Sequence, residues 1–312
     1  MVRCDAGKKA LSVLKSGLSI LTLLGVLALA ACSGDSGDNT SVDNKATQAL
    51  NATQNAGQPP AGEARESGLA AGAKVDFGKF AIAVGAAPEL EGFKHVVVSY
   101  NGKLLRQDED PYRVATTGSA LADFPLPGCE SMTLELFTGG ANCCLGYYIL
   151  TACPDEDAAA FSAPADGGLG QAMTVAGQVK GFPLSEPAFM YYSPQSQDNA
   201  PVLSLSRVDS PRPTRYVIFD DNTWRADKLG EFATAYQALA AEAEAAGQDD
   251  KTAGRAITLA YYAHMAGTDA AGVKAVLKAE LPAEFANLSD TIFDDIVKAA
   301  AEFKPFEQLP LP

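Results

Sequence analysis

Basic side chains are scarce in this 312-residue sequence, which has 24 Lys and Arg against 38 Asp and Glu and a net charge of −14. Such an acidic surface argues against binding nucleic acid or anionic lipid through long-range electrostatics. The chain also has only two His. It contains no Gly-x-Ser-x-Gly turn, phosphate-binding glycine loop, dinucleotide-binding fingerprint or His-Glu-x-x-His pair. The sequence therefore predicts no catalytic residue, no cofactor and no metal site.

An uncharged apolar run over residues 18–31 follows a basic stretch over residues 1–17. A transmembrane helix takes about 20 apolar residues, so this run is too short to span a bilayer and is typical of a signal-peptide core. It ends in Leu29-Ala30-Ala31-Cys32, with small residues where a signal peptidase must approach the backbone. An ordinary secretory leader that happens to be cut before a cysteine is the alternative.

The Leu-Ala-Ala-Cys segment resembles the lipobox of bacterial lipoproteins. The resemblance implies that residues 1–31 are a lipoprotein signal peptide and that Cys32 carries lipid chains such as palmitate. Two or three chains anchor a protein stably, whereas one binds marginally. Ser33 is similar to the pattern that sorts lipoproteins to the outer membrane. We therefore expect a cell-envelope protein held to the membrane by lipid, in the outer membrane and facing the periplasm.

Residues 33–76 contain no Phe, Trp, Tyr, Ile or Met. A segment of this composition cannot bury a core, which predicts that residues 32–76 are the lipidated cysteine and a disordered tether. The predicted folded part then divides into a β-rich domain over residues 77–229 and a helical domain over residues 230–312.

The fold class predicted from the sequence is α+β, an antiparallel β-rich domain followed by a helical bundle. Short apolar segments spaced by turn residues favour a sandwich, a barrel or a small propeller-like sheet. Helical periodicity begins after Gly230 and predicts about four helices. The predicted strands and hairpins cover residues 77–84, 93–106, 112–116, 131–137, 145–152, 188–193, 202–208 and 215–227.

Four cysteines lie within 25 residues of one another: Cys129, Cys143, Cys144 and Cys153. An even number in an exported chain implies disulfides, and four thiols allow three pairings. If residues 131–137 and 145–151 form a hairpin, Met132 faces Leu150 and Leu134 faces Tyr148. The same register sets Cys129 opposite Cys153, at a Cα separation of about 4.5–5.5 Å that suits a bridge. We therefore predict a Cys129–Cys153 disulfide.

The adjacent cysteines are predicted to form a Cys143–Cys144 disulfide, within a candidate functional turn made of Gly139, Gly140, Asn142, Cys143 and Cys144. A strained ring between neighbouring residues could be labile and redox-active. A structural clip on a glycine-rich turn is the plainer interpretation. A four-cysteine metal site is a third, although the adjacent pair lacks the C-x₂₋₄-C spacing.

The stretch LELFTGGANCCLGYYIL, residues 134–150, resembles the GGAHCC segment of a group of exported bacterial proteins with propeller-like β repeats. Asn142 stands where that group has His. Residues 124–128 replace the acidic calcium loop that some of those proteins carry. The resemblance therefore implies the fold and the compartment, but no metal and no activity.

Three acidic groups lie at predicted turns, where Asp bonds its own backbone, so we expect them to be solvated. They are Asp108-Glu109-Asp110, Asp155-Glu156-Asp157 and Asp220-Asp221. A weak calcium site over residues 220–222 is the alternative. His95 and His264 are expected to be packing residues.

These observations support three hypotheses about function. The first is a non-enzymatic lipoprotein, tethered to the membrane, that binds an envelope protein or has a structural role there. The second is thiol–disulfide exchange or redox sensing through Cys143 and Cys144. The third is an envelope hydrolase that uses the acidic turns.

Overall fold

The computed structural model describes residues 68–116, 120–140, 143–165, 167–177, 179–194, 202–246 and 252–312. All of these residues belong to one compact unit. Cys32 and the predicted signal peptide lie outside the described residues.

The described residues contain fourteen strands. They are β1 (Lys74–Phe77), β2 (Phe80–Ala86), β3 (Lys94–Tyr100), β4 (Lys103–Gln107), β5 (Arg113–Thr116), β6 (Leu121–Ala122), β7 (Glu130–Gly140), β8 (Cys143–Ala152), β9 (Ala158–Ala165), β10 (Met173–Val175), β11 (Val179–Ser185), β12 (Thr214–Asp220), β13 (Thr223–Ala226) and β14 (Glu307–Gln308).

These strands form three antiparallel sheets. The first has the order β1-β2-β3-β4 and the second the order β10-β11-β12-β13. The third has the order β14-β9-β8-β7-β5, with β6 also paired to β7. Because β14 comes from the C-terminal end of the chain and pairs with β9, the end of the chain is bound to the third sheet.

The helices follow the second sheet. They are α1 (Ala233–Ala246), α2 (Ala253–Met265), α3 (Ala270–Glu280) and α4 (Ser289–Glu302), with a 3₁₀ helix (Ala283–Leu288) before the last. The side chains of Thr252 and Asp269 accept hydrogen bonds from the first turns of α2 and α3. The predicted fold class, a β-rich part followed by about four helices, is confirmed.

Side chains of β8 contribute to two different hydrophobic cores. Tyr148 and Leu150 pack in a core shared with the first sheet, whereas Ile149 packs in a core shared with the second sheet. Successive residues of a strand point to opposite faces, so the third sheet lies between the other two.

Strand β12 extends this layering to the helices. Val217 and Phe219 lie in the core shared with the third sheet, whereas Tyr216 and Ile218 lie in the core formed with the helices. Hydrophobic packing is therefore continuous across residue 230, where the sequence analysis places a domain boundary.

The hairpins predicted within residues 93–106 and over residues 215–227 are confirmed. Asn101 and Gly102 connect β3 to β4 with φ of 49° and 74°, and Asp221 and Asn222 connect β12 to β13 with φ of 49° and 55°. Positive φ at both central positions is the geometry that matches the twist of a two-residue hairpin.

The strand predicted over residues 77–84 is confirmed over residues 80–84, which belong to β2, but its start is wrong. Gly78, with φ of 55°, and Lys79 form a turn, so the segment is part of the hairpin between β1 and β2. Strand β1 also begins inside the segment assigned to the tether, and residues 32–67 lie outside the described part of the chain.

The strands predicted over residues 188–193 and 202–208 are also wrong, because these segments bury side chains without pairing in a sheet. Phe189 and Leu203 pack in the helix-side core, and the two segments are joined by the Leu205 amide, which donates to the Tyr192 carbonyl at 2.9 Å. Strands β9, β10 and β11 were not predicted. Strand β9 is mostly alanine, and β11 contains Pro183, which disfavours a strand in a sequence pattern.

Candidate functional site

The hairpin of β7 and β8 has the register that the sequence predicts. Met132 pairs with Leu150 and Leu134 pairs with Tyr148. This pairing continues to Phe137, after which the register shifts toward the turn. The two cysteine pairs therefore lie at opposite ends of one long hairpin.

At the open end of this hairpin, Cys129 and Cys153 form a disulfide with their Cα atoms 4.2 Å apart. The predicted pairing is confirmed. The bridge lies beside the Asp157 carboxylate, because the Cys153 amide donates to its Oδ1 at 2.9 Å.

The other end carries the candidate functional turn. Cys144 takes part in a disulfide, and its amide donates to Oγ1 of Thr138 at 3.0 Å. Asn142 and the side chain of Cys143 lie outside the described part, so the Cys143–Cys144 pairing stays a prediction. Gly139 has φ of 84°, and a Cβ there would lie 2.3 Å from the ring of Phe93. Packing therefore explains the glycine at position 139 without any ligand.

A buried ionic network centred on Arg215 joins the second sheet to the helices. Its Nε and Nη2 donate to Oδ1 and the carbonyl of Asp227, both at 2.8 Å. Its Nη1 donates to the Tyr261 hydroxyl at 2.9 Å and to the Ala300 carbonyl at 3.2 Å. The hydroxyl of Tyr236 donates to Oδ2 of Asp227 at 2.5 Å. Arg215 thus binds groups that come from the sheet hairpin, α2 and α4.

Glu186 extends the network at the end of β11 and is 3% exposed. Its carboxylate accepts from the Ala188 amide at 3.0 Å and from the Tyr261 hydroxyl at 3.3 Å. Burial raises the pKa of Glu186 above its usual value, and the amide, Arg215 and the tyrosine only partly oppose this rise. Tyr261 accepts from Arg215 and donates to Glu186, which makes it the link between the two.

Two clefts lie beside this network, and residues 303–305, which follow α4, line both. We call the first the Glu186 cleft, with a volume of about 490 Å³. We call the second the Lys228 cleft, with a volume of about 590 Å³. Both volumes fall in the range of small-molecule binding sites, about 300–1,000 Å³.

The Glu186 cleft is walled by the third sheet and by the end of α4. Tyr147, Ser162 and Glu186 supply polar groups, and Phe303 supplies an aromatic face. Leu145, which directly follows Cys144, also lines this cleft. The strand that leaves the cysteine turn therefore forms part of the cleft wall.

The Lys228 cleft is lined by both buried and exposed residues. Trp224 is 1% exposed, whereas Leu229 is 58% and Val297 is 36% exposed. The exposed Lys228 and Lys304 are also part of its lining. The cleft thus combines apolar surface with two solvent-accessible ammonium groups.

His264 lines the Lys228 cleft, while His95 lies far along the chain on β3. Burial and the charge of Arg215 lower the pKa of His264 below its usual value, so the imidazole is neutral at neutral pH. His95 is 33% exposed and its Nε2 lies 3.3 Å from Oε1 of Glu89, so it is not the core residue that the strand pattern suggested.

Two of the three acidic turns hold buried carboxylates, which corrects the expectation that all are solvated. Asp108 is 4% exposed and accepts from the Tyr148 hydroxyl at 2.5 Å and from Nε of Arg106 at 3.0 Å. Asp220 is exposed as expected, and it binds Arg225.

Asp157 is the second buried carboxylate of these turns. It accepts from the Tyr100 hydroxyl at 2.9 Å and forms an ion pair with Nζ of Lys79 at 2.9 Å. Burial alone would raise the pKa of Asp157, but Lys79, the Cys153 amide and the tyrosine together lower it below the usual value. These contacts give the carboxylate a structural role.

Neither a metal-binding cluster nor a membrane-spanning helix occurs among the described residues. No group of three or more His, Cys, Asp or Glu there could hold a metal ion. None of the helices in this part of the chain is long and apolar enough to cross a membrane.

Comparison of the chain with protein-family models, curated proteins and solved structures gives no match. The resemblances to a lipobox and to the GGAHCC segment therefore stay predictions.

The sequence analysis missed Arg215, Asp227 and Glu186 as site residues. A signal for the first two existed, because they are the first and last residues of the predicted hairpin over 215–227. Opposite charges at such positions can meet across an antiparallel pair. Nothing in the local sequence shows that α2 and α4 would cover them, and Glu186 lies outside every strand and helix predicted from the sequence.

Proposed function

We propose that this chain is a lipid-anchored protein of the bacterial cell envelope that binds a ligand without catalysing a reaction. The ligand occupies one or both of the clefts beside residues 303–305. The lipobox-like segment before Cys32 supports the anchor, and the acidic composition is compatible with a partner other than nucleic acid.

The Arg215 network is the observation that carries the binding role. The N–H groups of Arg215 donate hydrogen bonds to a strand hairpin and to two helices, so the walls of both clefts are held in one arrangement. A site that keeps its shape before binding loses less conformational freedom when the ligand arrives. The network is suited to maintaining two preformed clefts.

Photo-crosslinking in intact cells tests the binding role. A photoreactive amino acid at Val297 or Ala188 samples the two clefts of the full chain, and one at Leu104 on β4, which is 62% exposed, is the control. We expect adducts of defined mass from the cleft positions and not from Leu104. Ala301→Trp, which narrows the Lys228 cleft, should remove the Val297 adduct.

Identical adducts from all three positions would contradict the binding proposal, as would the absence of adducts from both clefts with probes of several lengths.

Membrane fractionation tests the anchor separately. Cys32→Ala is expected to remove the lipid mass from the N-terminal peptide and to abolish processing before residue 32. Unchanged processing and mass would contradict lipidation.

Redox activity is the second candidate function. It is favoured by the position of Cys144, which is disulfide-bonded and precedes Leu145 on the wall of the Glu186 cleft. A measured reduction potential below about −300 mV would identify the bond as a structural one instead.

A further inference from the structure

We propose that the Lys228 cleft binds an anionic amphiphile, a molecule with one anionic headgroup on an apolar body. This inference rests on the proposed binding function and adds the chemistry of the ligand at one of the two clefts.

The charges of the cleft lining are the first argument. Arg215 is neutralised by Asp227, and Arg225 is paired with Asp220 and Glu231. Lys228 and Lys304 also line the cleft and form no ion pair within the described part of the chain. Lys228 also acts at longer range on the Asp220 and Glu231 carboxylates, but four cations against three carboxylates leave the site net positive, which favours an anionic headgroup.

The position of these lysines is unusual for this protein. The whole chain carries a net charge of −14, yet the unpaired charges of this cleft are positive. A cationic ligand would be attracted to most of the surface but would meet repulsion here. The local charge therefore selects against the class of ligand that the overall charge favours.

The apolar part of the lining is the second argument. Leu229 and Val297 are 58% and 36% exposed and lie in the same cleft as Phe303 and Phe306. Exposed large apolar side chains grouped in a concave site indicate that an apolar body covers them. A bare inorganic anion would leave this surface in water.

The wall behind these groups supplies a neutral polar contact. His264 lies in the lining, and its imidazole is neutral at neutral pH, so it can donate a hydrogen bond to an anionic oxygen from one ring nitrogen. Arg215 faces the same cleft, but its donors are engaged and it is 1% exposed. We therefore assign headgroup binding to Lys228 and Lys304.

Trp224 allows the proposal to be tested directly. It is the one tryptophan of the chain and lines the Lys228 cleft, so its fluorescence reports on this site. The full chain, purified in a neutral maltoside detergent, is titrated with octyl phosphate. Inorganic phosphate and octyltrimethylammonium serve as probes of the headgroup alone and of the opposite charge.

We expect a saturable change in Trp224 fluorescence with octyl phosphate, and none with the other two probes. In Lys228→Glu/Lys304→Glu the dissociation constant for octyl phosphate should rise about tenfold. This is the change expected when two charge contacts at a partly exposed site are lost. The control, Lys103→Glu/Lys278→Glu, makes the same change in net charge at exposed lysines outside the cleft and should bind like the wild type.

Equal binding by the two double variants would overturn the proposal, and so would equal binding of the cationic probe or of inorganic phosphate. Phosphatidic acid distinguishes the source of the ligand within the proposed class. Tighter binding than octyl phosphate indicates a membrane lipid, and weaker binding indicates a soluble amphiphile. If the titration fails while cleft-specific crosslinks form in cells, only the ligand chemistry is wrong and the binding function stands.

Discussion

Asp157 and Glu186 are both buried carboxylates, yet folding shifts their pKa values in opposite directions. Asp157 lies beside the Cys129–Cys153 bridge, where Lys79 and two hydrogen-bond donors lower its pKa below the usual value. Glu186 lies at the cleft, where burial raises its pKa because the nearby cation is already bound to Asp227. Burial is the largest single influence on both pKa values and raises both; only at Asp157 do the ion pair and the hydrogen bonds together exceed it.

The two regions also differ in how their cations are held. Lys79 is 53% exposed and reaches Asp157 from the solvent side. The side chain of Arg215 is 2% exposed and is enclosed by the sheet and the helices. Water can solvate Asp157 when Lys79 is absent, but it cannot reach Asp227 in the same way when Arg215 is absent. The Arg215–Asp227 pair is therefore more important to the structure than the Lys79–Asp157 pair.

Arg215→Met is expected to have the largest effect, because it leaves the Asp227 carboxylate buried without its cation. Removal of one partner of a buried pair destabilises a protein by about 3–5 kcal/mol. Urea unfolding of the full chain measures the loss. A loss below about 1 kcal/mol would mean that water enters the network and would remove the contrast with Lys79.

Removal of the Cys129–Cys153 bridge is expected to have the next largest effect. Its closed loop spans a sequence separation of 24. Cross-links of this kind stabilise a fold by about 2–4 kcal/mol, chiefly through the unfolded chain. Cys129→Ser/Cys153→Ser should show this loss in urea without reductant. A variant as stable as the wild type would show that the Asp157 region is held without the bridge.

The pH dependence of stability sharpens the comparison of the two carboxylates. The pKa of Asp157 is lowered by folding, so its charge stabilises the fold above the usual value of 3.8 and this contribution disappears as the pH falls through the folded value. The pKa of Glu186 is raised, so its charged form costs stability above the usual value of 4.5 and the cost disappears in acid.

The effects of Asp157→Asn and Glu186→Gln should therefore change in opposite directions between pH 7 and pH 3. We expect Asp157→Asn to be most destabilising at neutral pH, and Glu186→Gln to be most destabilising in acid. The change between the two pH values should therefore have opposite signs in the two variants. Parallel urea titrations measure it, and slopes of the same sign would contradict the assignment.

Lys79→Met is expected to have the smallest effect. An ion pair with a half-exposed lysine contributes little to stability, and salt screens it. Thermal unfolding in low and high salt should show a small difference that vanishes in high salt. A loss as large as that of Arg215→Met would mean that Asp157 depends on Lys79 as Asp227 depends on Arg215.

Local patterns in the sequence predicted much of the β7–β8 hairpin. The pairing of Met132 with Leu150 follows from matching apolar faces, and the same register places Cys129 opposite Cys153. The hairpin within residues 93–106 was predictable because Asn101-Gly102 is a dipeptide that tolerates positive φ. The helices were predictable because their apolar faces repeat with the helical period.

Segments without local periodicity were predicted poorly. Residues 188–193 and 202–208 are rich in apolar side chains, so they resemble strands in sequence. In the structure they fill the helix-side core without joining a sheet. Strand β11 was missed because it contains Pro183. The proline is tolerated because β10 pairs with β11 only as far as Gly181, so residue 183 has β12 but not β10 as a neighbour.

Taken by itself, the sequence determined the order of a β-rich part and four helices, the hairpin register and the Cys129–Cys153 bridge, because each depends on neighbours in sequence or across one turn. Only the tertiary structure decided that Asp108 and Asp157 are buried and that Arg215 meets Tyr261 and Ala300. The clefts likewise exist only where the C-terminal segment crosses the sheets and helices. These buried groups and clefts depend on which sheets and helices pack together. That arrangement is set by the burial of all apolar faces of the chain together, not by any one segment.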